Sequence, residues 1–234
     1  MVEFKVRKGN ILVGIYLNGN KGNIVLSSGI PQFLDKYHPF VGQMKRIGYN
    51  LFIPRFMGTY ESDGTFNTRN SAESIESAVK LVRSGKGTEL FGNTELKWDN
   101  NNISIIGFSY GALPALLQRE IIDRTLLICP FVDLKYHLNG GNGEDVRKTF
   151  EFIERAYPHI YRLNASEVID DLSKISLPTK KDNLIVIRDL SDSLIPFDEI
   201  ELLKKKYGAR IIDKGGGHNI LVEDNLLEQL LAGR

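Results

Sequence analysis

The sequence predicts an α/β fold, in which a mostly parallel sheet is covered by helices on both faces. Short apolar runs, roughly four to eight residues each, alternate with longer segments of helical period, the pattern typical of such sheets. The chain has 234 residues, of which 42% are hydrophobic and 25% charged, so it is long enough for one large core. We therefore expect residues 1–234 to form a single domain.

The opening of the chain differs from the rest. The segment FKVRKGNILVGIYLNGNKGNIVLSS contains three strand-like runs, separated by turn residues at Gly9 and from Asn18 to Gly22. Glycine and asparagine at such points favour tight turns, so we expect antiparallel strands before the alternation starts.

Strands and helices then follow one another regularly. The later predicted strands are YNLFIP, ISIIGF, TLLICP, NLIVIR and ARIID, which brings the total to about eight. The predicted helices lie near Gln32 to Ile47, from Asn70 to Arg83, directly after ISIIGF, near Phe197 to Lys206 and near Leu221 to Leu230.

The segment from Asp133 to Leu177 is too long for a simple crossover between strands. It carries its own amphipathic pattern in Val146, Phe150, Ile153 and Tyr157, so we expect a small helical insertion. Phe150, Ile153 and Tyr157 either line a site beneath the insertion or anchor it, and anchoring is the commoner role of such a stripe.

Composition excludes several classes of partner and site. A formal net charge of +1 gives no global field that would attract nucleic acid or an acidic membrane. The single cysteine, Cys129, rules out an intramolecular disulfide framework and a cysteine-based metal cluster. The N-terminus MVEFKVRKGN has no apolar signal region, and no apolar stretch approaches a membrane span. We expect a soluble, cytoplasmic protein. Its composition does not indicate an oligomeric state.

A candidate nucleophile lies where the strand ISIIGF meets the following helix. Gly107-Phe108-Ser109-Tyr110-Gly111 fits the pattern G-x-S-x-G, and a serine on a sharp strand-to-helix turn has an exposed hydroxyl. Such a turn crowds the residues two before and two after the serine, and glycine at both positions removes the clash. The alternative is that Ser109 is an ordinary helix N-cap. Pro114 should distort the first turns of the helix.

A serine needs a base to take its proton, and the base needs an orienting acid. Catalytic groups of an open parallel sheet collect beyond the carboxyl ends of its strands. His218 follows the strand ARIID in a glycine-rich loop, which makes it the candidate base. The other histidines, His38, His137 and His159, do not follow strand ends, so we expect them to be exposed or structural.

Two carboxylates after the strand NLIVIR are candidates for the orienting acid. Asp189 immediately follows Arg188, whereas Asp192 lies farther out, in a loop closed by Pro196, where it could reach sideways to an imidazole. We favour Asp192, with a turn or capping role as the alternative for either residue.

An oxyanion hole requires two backbone N–H groups. We expect one from Tyr110 and one from Ile30, in the loop from Ser27 to Pro31. Gly29 would allow close approach to a substrate there, and Pro31 has no N–H to donate. The alternative for this loop is a plain turn that ends a strand.

These residues together resemble the α/β-hydrolase family. Besides the serine turn, GYNLFIPRFMGTYESDG resembles the family's strand-and-loop pattern, SDSLIP its acid loop, GGGHN its histidine loop, and LLICPFVDL the strand after which a helical cap is commonly inserted. The resemblance covers nearly the whole chain and implies an eight-stranded α/β-hydrolase fold with a small cap over residues 133–177.

Three departures from the family pattern stand out. Arg55 and Met57 replace the usual Asp and Arg, so we expect the family's structural ion pair to be missing. Tyr60 replaces a loop glycine, and Ser28 stands where many members have histidine.

The resemblance and the candidate residues together imply a serine hydrolase. We expect Ser109, His218 and Asp192 to cleave a small-molecule acyl substrate, most economically a carboxylic ester, with no metal or organic cofactor. One alternative is a peptidase or acyl-peptide hydrolase of the prolyl-oligopeptidase type. Another is a binding protein that keeps the fold without turnover.

Overall fold

An eight-stranded sheet forms the centre of the molecule in the computed structural model. The structure describes residues 3–33, 38–132, 137–138, 143–179, 181–192, 194–195, 197–218, 220 and 222–233. The strands are β1 (Phe4–Lys8), β2 (Ile11–Tyr16), β3 (Asn23–Ser27), β4 (Asn50–Pro54), β5 (Lys86–Thr88), β6 (Glu95–Lys97), β7 (Ile103–Phe108), β8 (Arg124–Ile128), β9 (Leu184–Arg188) and β10 (Arg210–Asp213). The large sheet has the order β1-β2-β4-β3-β7-β8-β9-β10.

Helices lie between these strands, as the sequence predicts. They are α1 (His38–Ile47), α2 (Thr68–Arg83), α3 (Ala112–Leu117), α4 (Gly143–Ala156), α5 (Ala165–Ser173), α6 (Phe197–Tyr207) and α7 (Asp224–Ala232). The first helix begins later than predicted, because Gln32 and Phe33 are not helical. The second begins earlier, because Asn67 caps it by accepting the Asn70 N–H at 2.8 Å.

The predicted mostly parallel sheet is confirmed, with one correction at its start. β1 pairs antiparallel with β2, and β2 pairs antiparallel with β4. The third run, β3, was expected to be antiparallel but pairs in parallel with β4 and β7. All five of its residues are buried, as suits a central strand covered on both faces.

A small hairpin of β5 and β6 was not predicted. These strands have three residues each and pair antiparallel outside the main sheet. Only Leu96 of the hairpin strands is buried, so the segment has no apolar run that could predict it.

The carboxyl ends of the central strands meet at one edge of the sheet. Ser27 of β3 pairs with Gly107 of β7, and Phe108 pairs with Ile128 of β8. The loops that follow these strands leave from the same edge, so the predicted site residues on those loops lie at that edge of the sheet.

The region between β8 and β9 contains α4 and α5. Phe150 and Ile153 of α4 are each 1% exposed, whereas Asp133 and Gly140 to Asn142 lie outside the described residues. The Arg162 N–H donates to the Gly58 carbonyl at 2.7 Å, which fastens this region to the loop after β4. No helix in the described ranges is long and apolar enough to cross a membrane.

Candidate active site

The turn at Ser109 has the strained geometry that its flanking glycines suggest. Ser109 has φ 49° and follows β7 directly, and one 3-10 turn then leads into α3. A left-handed conformation at a non-glycine residue costs on the order of 1–3 kcal/mol. A methyl group on Gly107 would lie 2.9 Å from Ala112 Cα, and one on Gly111 would collide with the carbonyl oxygens of Ser27 and Ser28. Both glycines are therefore needed to pack this turn.

The Ser109 side chain does not act as a helix cap. No side-chain cap bond occurs at the start of the 3-10 turn or of α3 among the described residues. Ser109 Oγ lies 2.9 Å from His218 Nε2 instead. Pro114, which has no backbone N–H, is the third residue of α3, a helix of six residues that directly follows the 3-10 turn.

The other ring nitrogen of His218 contacts Asp192. Nδ1 and Asp192 Oδ2 are 2.8 Å apart, and the Asp192 side chain is 2% exposed. The second oxygen, Oδ1, accepts the backbone N–H groups of Leu194 at 2.9 Å and Ile195 at 3.3 Å. The carboxylate is thus fixed by its own loop and faces the imidazole. Pro196, which the sequence placed at the end of this loop, lies outside the described residues.

Asp189, the second candidate acid, has different hydrogen-bond partners. Its Oδ2 accepts the Gly217 N–H at 2.6 Å, and its Oδ1 accepts the N–H and hydroxyl of Ser191 at 2.6 and 2.7 Å. The Gly217 bond, followed by those from Ser191, lowers the pKa of Asp189 to about 2. Asp189 therefore holds the loop next to His218 rather than the imidazole itself.

Cys129 lies directly beneath these groups. Its Sγ, an Asp192 oxygen and a His218 nitrogen lie within 4.8 Å of one another, a spacing compatible with metal ligands. Burial, reinforced by the negative charge of Asp192, raises the pKa of Cys129 to about 12. Among these groups, Asp192 and His218 are already hydrogen-bonded to each other at 2.8 Å, and the Cys129 Sγ lies 3.7 Å from the Gly217 carbonyl oxygen.

The predicted oxyanion loop passes close to the serine. A methyl group on Gly29 would lie 3.5 Å from Ser109 Cβ and 3.4 Å from the Phe108 carbonyl oxygen. Ile30 and Tyr110 both line the cavity onto which Ser109 and His218 open. The two residues predicted to donate these N–H groups therefore border the same cavity as Ser109.

The cavity at this site has a volume of about 360 Å³ and a mostly apolar wall. The lining side chains that sequence patterns did not single out for the site are Phe131, His137, Val146, Thr149, Leu194 and Ile195. They come from loops, from one face of α4 and, for His137, from a helical position before α4, so no single periodic stretch could have revealed them.

His137 is buried rather than exposed, and it borders the candidate site. It is 1% exposed and stacks on Phe131 with ring centroids 4.3 Å apart, in the cavity wall. Phe150 also lines the cavity, whereas Ile153 and Tyr157 do not, so only the first of the three side chains faces the site. His159 is exposed, and the side chain of His38 lies outside the described residues.

A larger cavity of about 580 Å³ lies at the opposite edge of the sheet. It is lined by residues from the amino ends of strands, such as Ser104 and Arg124, and by α7. Ser109, His218 and Asp192 are not among its lining residues, so the larger cavity is not the one at the candidate site.

The departure at Arg55 is accompanied by other ion pairs. Met57 carries no charge, and the buried guanidinium of Arg55 forms ion pairs with Glu61 and, at 3.4 Å, with Glu3. Burial raises the pKa of Glu61, whereas the hydrogen bonds from Arg55 and Lys5 lower it. The net effect is a pKa of about 2. A charge pair of another composition thus occupies this region.

Comparisons with known proteins identify the fold. Neither the models of protein families nor the curated proteins include a match to this chain. Among solved structures, an esterase from Exiguobacterium antarcticum is 13% identical, with a TM-score of 0.66 over 99% of this chain and 98% of its own. An esterase from Pyrococcus furiosus is 15% identical, with a TM-score of 0.66 over 99% and 90%.

A third similar structure carries the family name itself. Alpha/beta hydrolase domain-containing protein 10 from mouse is 14% identical, with a TM-score of 0.64 over 99% of this chain and 96% of its own. The sheet order, the strained serine turn and these likenesses agree, and the chain has the α/β-hydrolase fold.

Proposed function

We propose that this protein is a serine hydrolase that cleaves a small acyl substrate, most economically a carboxylic ester, through an acyl-enzyme intermediate. The observation that carries the proposal is the chain of hydrogen bonds from Ser109 to His218 to Asp192 at the wall of an apolar cavity. A serine becomes a nucleophile when a neighbouring base takes its proton and an acid orients that base.

The reaction follows from this arrangement. His218 Nε2 takes the Ser109 proton as Oγ attacks the acyl carbon, and the carbonyl electrons move onto oxygen. The N–H groups of Ile30 and Tyr110 stabilise that oxyanion, and His218 then returns the proton to the leaving alcohol. Water repeats the sequence on the acyl-enzyme, which releases the acid and restores Ser109.

The cavity wall favours an uncharged apolar ester over a peptide. The lining residues that the structure describes include no Asp, Glu, Lys or Arg. A peptidase of the prolyl-oligopeptidase type that binds a chain terminus would need a charged partner for it. Turnover of an ester and of its matching amide separates the two activities.

Covalent labelling tests the proposal. A fluorophosphonate should modify Ser109 in the folded protein, since the phosphorus is attacked by an activated serine and fluoride leaves. Peptide mapping locates the label, and Ser109→Ala and heat-unfolded protein are the controls.

The same experiment addresses the alternative of a binding protein without turnover. A folded wild-type protein that takes up no label and hydrolyses no activated ester would contradict the hydrolase proposal and favour that alternative.

A further inference from the structure

The segment that carries Ile30 is held by contacts that the proposed reaction does not use. Gln32, two residues after Ile30, is fully buried. Its side-chain Nε2 donates to the Pro54 carbonyl at 2.9 Å, and its Oε1, at 3.2 Å, shares the Thr59 hydroxyl proton with the Phe56 carbonyl, at 2.8 Å. Both ends of the buried amide are therefore paired, which fixes the side chain to the loop after β4.

Two tyrosine hydroxyls hold the main chain of the same residue. The Gln32 N–H donates to the Tyr161 hydroxyl oxygen, and the Gln32 carbonyl accepts the Tyr60 hydroxyl at 2.5 Å. The backbone N–H and the backbone carbonyl of Gln32 are thus each held by a tyrosine hydroxyl. A backbone fixed at both groups can shift little without breaking a buried hydrogen bond.

The two tyrosines come from segments that also pair with each other. Thr59 and Tyr161 form an antiparallel bridge, and the Tyr60 N–H donates to the Ile160 carbonyl at 2.9 Å. Tyr161 lies between α4 and α5, whereas Tyr60 lies between β4 and α2. The contact therefore connects the segment between α4 and α5 with the loop after β4.

The backbone at Tyr60 points to a use for its side chain. Tyr60 has φ 46°, a left-handed conformation that favours glycine. A glycine there would relieve the backbone but could not supply the hydroxyl that reaches the Gln32 carbonyl. The tyrosine in this conformation supplies that hydrogen bond, and its ring also lies 5.6 Å from the Arg55 guanidinium carbon.

We propose that Tyr60 and Tyr161 form a clamp on Gln32 that positions the Ile30 N–H for the developing oxyanion. We call this set of three residues the tyrosine clamp. Its members are positioning residues, because none of them is required to touch the reacting atoms. The proposal rests on the proposed function, since it concerns the oxyanion donor of that reaction.

Phenylalanine variants test the clamp with little change in packing. Tyr161→Phe and Tyr60→Phe each remove one hydroxyl, and the Tyr161 ring keeps its edge contact with Phe66, whose centroid is 5.3 Å away. The matched control is Tyr207→Phe, which removes a hydroxyl that donates to the Pro178 carbonyl at 2.8 Å, away from the site.

We expect kcat for ester hydrolysis to fall about 10- to 100-fold in each clamp variant, because a displaced donor loses its contact in the transition state. The KM should change little, since the oxyanion is absent from the bound substrate. The Tyr207→Phe control should keep the wild-type kcat. Thermal unfolding of each variant checks that it is folded.

A second readout separates positioning from general loosening. Ser109 Oγ adds to the carbonyl carbon of a trifluoromethyl ketone, its proton goes to His218, and the carbonyl electrons form an oxyanion. Affinity for the ketone should fall by the same factor as kcat, whereas affinity for the corresponding unreactive alcohol should not change.

The outcomes distinguish the clamp from the function on which it rests. Clamp variants that match Tyr207→Phe in kcat and ketone affinity would overturn the clamp alone. Equal losses of ketone and alcohol affinity would also overturn it, by indicating general loosening. A wild-type protein without ester turnover or Ser109 labelling would overturn the proposed function and the clamp together.

Discussion

Asp192 illustrates how the three hydrogen bonds of one carboxylate define the role that we propose for it. Oδ1 accepts two backbone N–H groups from its own loop, so only Oδ2 is directed at His218. In the proposed reaction the imidazole carries its proton on Nδ1, facing Asp192, and Nε2 takes the Ser109 proton. The pattern D-x-x-x-P could suggest the residue, but only the bonds of the folded loop select Asp192 over Asp189.

Asp192→Asn should reverse that proton arrangement. The new carbonyl oxygen would stay on the backbone N–H groups, so the NH₂ would point at His218 Nδ1 and require it to accept. The proton would then lie on Nε2, where it blocks removal of the Ser109 proton. We expect kcat to fall by about 10⁴-fold with little loss of stability.

Steady-state ester hydrolysis and thermal unfolding measure the two effects. Asp170→Asn, a change at an exposed carboxylate of α5, is the control. A kcat within about tenfold of wild type in Asp192→Asn would contradict the orienting role.

At the scale of elements, the loops after β9 and β10 are joined by one carboxylate. Asp189 directly follows β9 and accepts the Gly217 N–H of the loop that follows β10. The parallel pairing of the two strands brings these loops together, and the hydrogen bond sets how the histidine loop leaves the sheet. Sequence spacing could place both loops at one edge but could not assign this bond.

Asp189→Asn should lower the free energy of unfolding, by an amount that depends on pH. The folded pKa of about 2 lies below the ordinary value of 3.8, so the ionised carboxylate stabilises the fold above about pH 4. That contribution is lost as pH falls through the folded pKa. We expect the difference in unfolding free energy between wild type and variant to narrow between about pH 4 and pH 2.

Urea denaturation over this pH range measures the difference. Ser191→Ala removes only the hydroxyl donor at 2.7 Å and should give a smaller effect of the same sign. A difference that stayed constant down to pH 2 would argue against an ionised, hydrogen-bonded Asp189.

At the scale of the whole molecule, the site is continuous with the core beneath it. Cys129 follows β8 at the carboxyl edge, is 1% exposed and contacts the Gly217 carbonyl through Sγ at 3.7 Å. The same packing that supports the histidine loop from below therefore encloses the thiol. Access to Cys129 requires the packing of several loops to open.

The single thiol should report on that opening. With a pKa raised to about 12 by burial and by Asp192, Cys129 should not react with a disulfide reagent in the native protein at neutral pH. Reactivity should rise with denaturant at the midpoint at which circular dichroism is lost.

A relocated thiol is the control for this measurement. In Cys129→Ala/Ser173→Cys the thiol would lie at the exposed end of α5 and should react at once. Reaction of native wild type at the same rate would contradict the close packing around Cys129.

The sequence by itself determined the eight sheet strands and the strand-to-helix turn at Ser109. Apolar runs, glycines and strand ends are local features, and the physics that relates them to strands and tight turns acts over a few residues. For the same reason Ser109, His218 and Asp192 could be named as candidates before their distances were known.

Only the tertiary structure decided which of these groups meet and what surrounds them. The parallel pairing of β3, the role of Asp189, the place of His137 in the cavity and the contacts of Gln32 all join residues far apart in the chain. Their partners are chosen by the way loops pack at one edge of the sheet, and no local period of the sequence records that packing.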